Sequence, residues 1–260
     1  MRMDLPLSRA IVAALDFVPE AGSTNAELVA RASASRLEDF AVLATTNQTA
    51  GKGRLGRSWV APPGRTIAVS VLLRPEGWEP DRLGWLPLLA GLAMTRAVAG
   101  LVDDHQVTLK WPNDVQIDGL KVAGLLAELV ASAMRPSENV VVIGAGLNLT
   151  MTADELPTPG STSLTLNGVP AEDLVDRALA AYLGELRSLY DGLEVPSLRA
   201  AVIAECSTIG RSVRVELPGG DDLYGRAVDI DELGRLVVLR LADARLIPVA
   251  AGDVTHLRYE

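Results

Sequence analysis

A stretch of glycines and cations at residues 48–59, QTAGKGRLGRSW, shows the most distinct chemical pattern of the chain. Glycines this close together let the backbone turn its N–H groups toward one point. The arginine fork of donors suits phosphate or carboxylate oxygens. The pattern therefore predicts a loop that closes over an anion, although a basic and flexible hairpin would share its composition. The glycines and cations are Gly51, Lys52, Gly53, Arg54, Gly56 and Arg57, followed by Arg65.

Neither common phosphate-loop motif identifies this stretch by itself. The pattern G-x-x-x-x-G-K-[ST] is absent from it, and its match to G-x-G-x-x-G is weak evidence when it stands alone. Further polar motifs add to the chemistry of the loop. They are STN at residues 23–25, KWPND at 110–114, KVAGLLAE at 121–128 and GAGLN at 144–148.

Taken in order along nearly the whole chain, these motifs resemble those of the biotin protein ligases. The resemblance implies a cytoplasmic, ATP-dependent ligase that joins biotin to the α-phosphate of MgATP, giving biotinyl-5′-AMP and pyrophosphate. Biotin then passes to a lysine of a biotin carboxyl carrier domain of an acyl-CoA carboxylase. Biotin, ATP and Mg²⁺ are the expected small molecules. Neither step requires an enzyme nucleophile, so catalysis should consist of positioning and charge neutralisation.

The resemblance also assigns site residues in this sequence, without assigning a metal ligand. The expected catalytic cations are Lys121, Arg54 and Arg57. The expected biotin-binding residues are Ser23, Thr24, Asn25, Gln48, Gly51, Lys52, Arg54, Lys121 and Gly124. The expected nucleotide-binding residues are Lys52, Arg54, Trp59, Lys110, Asn113, Asp114, Lys121 and Asn148.

The chemistry of several side chains agrees with these assignments. Asn113 offers both a donor and an acceptor to a base edge. Trp59, at the end of the loop, is the better ring for stacking on adenine, whereas Trp111 is expected in the core. Asp114 is expected either to hold Mg²⁺ or to orient Lys110, and the sequence leaves both roles open.

The glycine–arginine loop, residues 48–59, departs from the family pattern at two positions. The family commonly has GRGRRGR, whereas Lys52 and Leu55 replace two of those arginines here. A lysine keeps the charge but loses bidentate geometry. The part that Lys52 plays in ordering the loop is therefore an open question.

The elements that must position these motifs alternate between helices and strands. Thr24 followed by Glu27 predicts a capping box and a helix from residue 24 to about 34. Together the patterns predict an α/β (α+β) fold with a mixed-sheet catalytic domain over residues 1–206. Further helices are expected over 8–15, 83–101, 170–190 and 197–206. Strands are expected over 40–46, 67–73, 107–110, 114–117, 121–130 and 139–150.

After residue 206 short strands alternate with turns, at 212–217, 223–230, 236–241, 246–249 and 254–257. This spacing predicts a small C-terminal β-barrel of SH3 type over residues 207–260, which the resemblance also implies. Few residues precede Ser23. The winged helix-turn-helix of the repressor members of the family is therefore not expected, and neither is DNA binding.

Composition supports a globular enzyme and argues against several other classes. Hydrophobic residues are 48% and charged residues 22%, which allows a sizeable core. The net charge of −9 argues against non-specific nucleic-acid binding, which requires lysines and arginines to neutralise phosphates. The one cysteine, Cys206, excludes an intramolecular disulfide and fits a reducing cytoplasm. It gives no metal-ligand spacing with the two histidines, and no apolar stretch has the length of a membrane span.

Two other functions remain open from the sequence. A lipoate–protein ligase performs the same chemistry on another acid, but KWPND together with the glycine–arginine loop favours biotin. A catalytically silent vitamin-binding protein would not require three or four converging cations. We expect a monomer or weak homodimer with no nucleic acid or membrane partner.

Overall fold

The computed structural model describes residues 3–12, 14–76, 78–130, 139–192, 194–217, 220 and 222–257. A mixed sheet carries helices on its faces, and a smaller antiparallel sheet follows it. The helices of the described ranges are α1 (Pro6–Ile11), α2 (Thr24–Ala34), α3 (Trp85–Ala99), α4 (Leu174–Asp191) and α5 (Val195–Glu205).

The larger sheet has seven strands and is mixed, as the sequence predicted. The strands up to residue 148 are β1 (Leu15–Phe17), β2 (Val42–Thr45), β3 (Gly51–Lys52), β4 (Ser58–Trp59), β5 (Thr66–Leu73), β6 (Val107–Lys110), β7 (Asp114–Ile117), β8 (Leu120–Leu129) and β9 (Val141–Asn148). The sheet order is β1-β2-β5-β9-β8-β7-β6, in which only β1 and β2 pair in parallel. Strands β3 and β4 form a separate ribbon within the glycine–arginine loop.

The two faces of this sheet pack against different helices. Leu72 and Val142 pack with Leu28 of α2, whereas their neighbours Val71 and Ile143 belong to the larger core that contains α3. Successive residues of a strand point to opposite faces, so both faces are covered and β5 is buried along its whole length. Helix α3 is hydrophobic on all sides because it lies between the sheet and α4.

The C-terminal sheet has five antiparallel strands, the number that the sequence predicted. They are β10 (Ser212–Glu216), β11 (Asp222–Ile230), β12 (Leu236–Arg240), β13 (Leu246–Val249) and β14 (Asp253–His256). Their order is β13-β12-β11-β10-β14, and buried residues alternate with exposed ones along most of β11.

Two tryptophans attach the C-terminal sheet to the rest of the molecule. Trp85 Nε1 donates to the carbonyl of Glu232 at 2.7 Å, and Trp111 Nε1 donates to the carbonyl of Gly234 at 3.5 Å. Both rings are buried. The expectation that Trp111 is a core residue is therefore confirmed.

Two helix boundaries expected from the sequence were wrong. The helix expected over residues 8–15 ends at Ile11, and Leu15 already belongs to β1 because its backbone pairs with β2. The helix expected to open at Pro170 begins at Leu174. In the first case pairing with a distant strand decided the boundary, which a local pattern does not contain. In the second, Asp173 has a left-handed conformation, so the helix begins only after it.

Candidate active site

The glycine–arginine loop folds over the middle of β8 and β9 and encloses a pocket there. The first turn of α2 forms one end of the pocket, and residues of β7 and β14 form the other. Most of the expected site residues line it, namely Ser23, Thr24, Asn25, Gln48, Lys52, Arg54, Arg57, Trp59, Asn113, Asp114, Lys121 and Gly124.

The other expected site residues lie outside this lining. Gly51 borders an adjoining cleft under the loop. Lys110 is the last residue of β6. Asn148 is buried, and its Nδ2 donates to the carbonyl of Thr162 at 2.9 Å, so its amide supports a neighbouring segment.

The first turn of α2 is capped differently from the expected capping box. Ser23 is the N-cap, because its Oγ accepts the N–H of Ala26 at 3.4 Å. The Glu27 carboxylate accepts the N–H of Gly22 at 3.0 Å. Thr24, the residue expected to cap, is the first helical residue, which leaves its hydroxyl available to the pocket.

A buried chain of polar side chains crosses the α2 end of the pocket. The N–H of Thr24 donates to Gln48 Oε1 at 3.0 Å, and the Thr24 Oγ1 lies 3.2 Å from the same oxygen. Ser70 Oγ lies 2.8 Å from both Thr24 Oγ1 and Asn25 Oδ1. Asn25 Nδ2 donates to Glu128 Oε2 at 2.6 Å. Four elements of the fold thus hold one another in a fixed polar arrangement.

The opposite end of the pocket is a cluster of paired charges. Lys121 Nζ lies 2.6 Å from Asp114 Oδ1. Arg54 Nη1 donates to Asn113 Oδ1 at 3.1 Å and to the carbonyl of Gly252 at 3.3 Å. Asp114 therefore pairs with Lys121, although Lys110 is its cross-strand neighbour. This arrangement argues against the role of orienting Lys110 that the sequence left open for Asp114.

Residues of the C-terminal sheet complete this charged end. Arg57 forms an ion pair with Asp253, the first residue of β14. The pKa of Arg54 is lowered, chiefly because burial removes water from its guanidinium, while Asp253 and Asp114 oppose the shift and Arg57 adds to it. An anion that replaced water beside Arg54 would stabilise its charge.

Trp59 covers the pocket from the loop side. A Cβ on Gly146 would lie 2.5 Å from Cε2 of the Trp59 ring, and a Cβ on Gly124 would lie 3.2 Å from its Cζ3. Gly146 is thus required for the indole to approach the sheet, and a side chain at Gly124 would make the approach tight. Lys121 Nζ lies 5.7 Å from the centroid of the ring. The indole N–H is buried without a hydrogen-bond partner, which marks this spot as polar and unsatisfied.

The two departures from the family loop have different positions. Lys52 lines the pocket, whereas Leu55 lies outside the lining with a side chain that is 60% exposed. Leu55 adopts a left-handed conformation, with φ of 55°. Its replacement of an arginine therefore removes a cation from the solvent side of the loop, and the cations in the pocket remain.

Sequence reasoning missed three residues of this site. Asp253 is far from the loop along the chain, and nothing in its local sequence indicates a contact with Arg57. Ser70 is one polar residue in an apolar strand, and that isolation is the only signal it gives. Glu128 closes the KVAGLLAE motif, but no role had been assigned to it.

Within the described residues, no three His, Cys, Asp or Glu side chains are grouped in a way that could hold a metal ion. None of the helices in this part of the chain combines the length and the hydropathy that crossing a membrane requires.

Comparison with known proteins agrees with this fold. Residues 21–148 match the biotin/lipoate A/B protein ligase family, and residues 208–257 match the biotin protein ligase C-terminal domain. The two matched segments contain the glycine–arginine loop and the Asp253 strand, respectively. The chain belongs to the biotin/lipoate A/B protein ligase family.

Individual relatives resemble the chain over most of its length. A Mycobacterium tuberculosis biotin–[acetyl-CoA-carboxylase] ligase is 44% identical over 248 residues, covering 94% of this chain and 89% of the relative. A Paracoccus denitrificans ligase of the same name is 32% identical, covering 88% and 95%. The structure of a biotin protein ligase from Aquifex aeolicus in complex with biotin and ATP superposes with a TM-score of 0.72 at 25% identity, covering 94% of this chain and 99% of that one.

Proposed function

We propose that this protein is an ATP-dependent biotin–protein ligase with its active site in the pocket under the glycine–arginine loop. The observation that carries the proposal is the division of the pocket into a buried polar end and a cationic end. A neutral head group with a carboxylate tail fits this order, because the tail then reaches the cations. The relatives named above are ligases of this kind.

In the first step, a biotin carboxylate oxygen attacks the α-phosphorus of ATP. The bond from that phosphorus to the bridging oxygen breaks, and pyrophosphate leaves. Lys121 and Arg54 stabilise the negative charge that develops on the phosphoryl oxygens. Asp114 holds Lys121 in position before the substrates bind, so little reorganisation is needed.

In the second step, an amine attacks the acyl carbon of biotinyl-5′-AMP, and AMP leaves. We assign this amine to a lysine of a biotin carboxyl carrier domain of an acyl-CoA carboxylase. Until the carrier arrives, Lys52, Arg54 and Arg57 of the loop hold the phosphate of the intermediate by charge-assisted hydrogen bonds.

The site suits Mg²⁺ that arrives already bound to ATP. Mg²⁺ commonly keeps several waters and uses one or two carboxylates together with substrate phosphates. Asp114 and Asp253 are the carboxylates of the pocket lining, and either would supply such a ligand. When bound, the ion would neutralise charge on the phosphates.

We place the boundary between the catalytic and C-terminal domains at residues 206 and 207. Helix α5 ends at Glu205, and the backbone N–H of Ser207 donates to the carbonyl of Leu109 at 2.9 Å. The C-terminal sheet then contributes Asp253 to the pocket. On this division the smaller domain is part of the active site.

The test is ATP–pyrophosphate exchange measured with biotin, with lipoate and without an acid. Exchange that depends on biotin supports the proposal. Exchange that depends on lipoate would instead identify a lipoate ligase. Binding of biotin without exchange would identify a silent vitamin-binding protein. Transfer of labelled biotin to an isolated carrier domain, with a carrier whose acceptor lysine is replaced by arginine as control, then tests the second step.

A further inference from the structure

We propose that Glu128 is a positioning residue that fixes the direction of the hydrogen bonds at the α2 end of the pocket. Through Asn25 and Ser70 it makes Thr24 Oγ1 a pure acceptor toward the ligand. The site would therefore select a head group with N–H donors. This inference rests on the proposed function and adds a cause for its choice of biotin over lipoate.

The direction begins at Glu128. An ionised carboxylate only accepts hydrogen bonds, so the atom of Asn25 that lies 2.6 Å from Glu128 Oε2 must be the amide nitrogen. The orientation of an asparagine amide is normally inferred from its partners. Here the carboxylate is the shorter of two acceptors for Asn25 Nδ2, and the carbonyl of Leu126, 3.3 Å away, agrees with it. The other amide atom, Asn25 Oδ1, therefore faces Ser70.

The number of hydroxyl protons determines which atom donates in each of the remaining hydrogen bonds up to the pocket. Asn25 Oδ1 cannot donate, so the single hydroxyl proton of Ser70 belongs to the 2.8 Å contact between them. The second 2.8 Å contact of Ser70, to Thr24 Oγ1, then requires the proton of Thr24. The longer separation of 3.2 Å between Thr24 Oγ1 and Gln48 Oε1 is left without a proton.

Burial keeps water from changing this arrangement. Ser70, Thr24 and Asn25 have exposed fractions of 0%, 3% and 4%. Buried polar groups of this kind find their partners within the protein, and each bond constrains the next. The direction set at Glu128 is thus transmitted across β5 to the first turn of α2.

The result is a pair of acceptors, Thr24 Oγ1 and Gln48 Oε1, with no donor between them. The cyclic urea of biotin carries two N–H groups and satisfies such acceptors. The dithiolane ring of lipoate carries none, so it would leave Thr24 Oγ1 desolvated without a ligand donor and Gln48 Oε1 with the N–H of Thr24 alone, which costs affinity. A site with acceptors placed for a ligand N–H discriminates strongly against analogues that lack this N–H, whereas an apolar pocket discriminates only weakly between similar ligands.

The experiment is a double-mutant cycle read by the dissociation constant for biotin. Glu128→Ala leaves only the longer contact with the Leu126 carbonyl to orient the Asn25 amide, and it should weaken biotin binding ~10-fold, the scale of one hydrogen bond. Glu128→Gln keeps an acceptor in one of its two amide orientations and should lose ~3-fold or less. In a Thr24→Val background, Glu128→Ala should cost less than ~2-fold, because the acceptor that it positions is gone.

Glu27→Ala is the matched control, since it removes a carboxylate that accepts a backbone N–H beside the same helix turn. Glu27→Ala should leave biotin affinity within ~2-fold. The contact of Glu27 with the N–H of Gly22 lies outside the series Glu128, Asn25, Ser70 and Thr24. Ser70→Ala removes the hydroxyl that connects Asn25 to Thr24. The loss of biotin affinity that it causes should therefore not add to the loss caused by Glu128→Ala. Thermal unfolding of each variant identifies any that fails to fold.

The outcomes separate this proposal from the proposed function. Equal losses for Glu128→Ala with Thr24 and with Val at position 24 would reduce Glu128 to a packing role. Unchanged affinity in folded Glu128→Ala would also overturn the proposal, while biotin-dependent exchange by the wild type would keep the ligase assignment. A wild-type protein that binds no biotin would overturn both.

Discussion

The two ends of the pocket are built in opposite ways. The α2 end consists of buried side chains whose partners are fixed within the rigid sheet and helix. The cationic end has one ion pair between the loop and β14 and another between β8 and β7, and several of its side chains are partly exposed. At the first end the polar side chains have one another as hydrogen-bond partners. At the second, Lys121, Arg54 and Arg57 are paired with groups that a phosphate can replace.

This difference corresponds to two tasks. A neutral head group binds through donors and acceptors that must already point in the right direction, because the net gain from each hydrogen bond is small. A phosphate carries enough charge to displace carboxylates and carbonyls from arginine and lysine. Rigid pairing therefore suits recognition, and exchangeable pairing suits activation. Substitutions at the two ends should separate into effects on binding and effects on chemistry.

The largest effect is expected for Lys121→Ala. It removes the ammonium that faces the phosphate position, and loss of one such electrostatic group lowers turnover ~100-fold to 1,000-fold. The rate of ATP–pyrophosphate exchange should fall by this factor while the dissociation constant for biotin changes much less. The control is Arg82→Ala, which removes an exposed cation outside the pocket lining. Equal loss in both variants would show that position in the pocket does not matter.

The next largest effect concerns retention of the intermediate by the loop. Arg54 is the half-buried arginine of the cationic end, so Arg54→Gly should still form biotinyl-5′-AMP but release it ~10-fold to 100-fold faster, the scale of one charge-assisted hydrogen bond. Release of labelled intermediate from preformed complexes measures this. Bystander proteins with exposed lysines should then become biotinylated in the same tube.

Lys52→Arg is the companion variant for that measurement. A forked donor holds a phosphate better than an ammonium, so release should slow. If Arg54→Gly releases the intermediate at the wild-type rate, containment by this arginine is wrong, and the loop would act only in the first step.

The sequence predicted the parts of this site that are local in the chain. The glycine–arginine loop, KWPND and KVAGLLAE brought the right cations and amides together, because each motif keeps its residues within one turn or strand. The mixed sheet followed from runs such as β5, which is apolar enough to be buried on both faces. Such a motif predicts the residues on one side of the pocket, but it does not predict which residues lie opposite them.

Partners across the pocket required the three-dimensional structure. Asp253 is far from Arg57 in sequence, and contacts such as those of Trp85 and Trp111 hold the C-terminal sheet beside the loop. Asp114 pairs with Lys121 because β7 and β8 are neighbours, whereas the sequence had offered only Mg²⁺ or Lys110 as its partner. Long-range register decided both contacts.

A smaller effect is expected where the two sheets meet at the loop. Asp253→Asn weakens the ion pair of Arg57, so trypsin should cleave the ligand-free protein faster within residues 52–57. The expected increase is only ~2-fold to 5-fold, because a partly exposed ion pair contributes little stability. Saturating biotinyl-5′-AMP should remove the difference, because phosphate replaces the carboxylate. The control is Asp243→Asn, which breaks a pair with Arg240 far from the loop. Identical cleavage of wild type and Asp253→Asn would mean that the pair does not order the loop.

The smallest expected effect is a pH dependence of stability beneath the same strand. Burial, with Lys110 and Arg211 nearby, lowers the pKa of His256 in β14 to about 4. Thr208 Oγ1 accepts the N–H of Trp111 at 3.1 Å, so its proton can point to His256 Nε2, also 3.1 Å away, if the ring is neutral.

The sign follows from proton uptake in the two states. The unfolded chain protonates His256 near its ordinary pKa of about 6.5, well before the folded protein does. The free energy of unfolding should therefore fall as the pH decreases from about 6.5 to about 4. Urea unfolding at several pH values measures the slope, and His256→Gln should flatten the part of it that belongs to this ring. The chain of polar side chains at the α2 end contains no histidine. A slope that survives in His256→Gln would therefore place the pH-sensitive group outside β14.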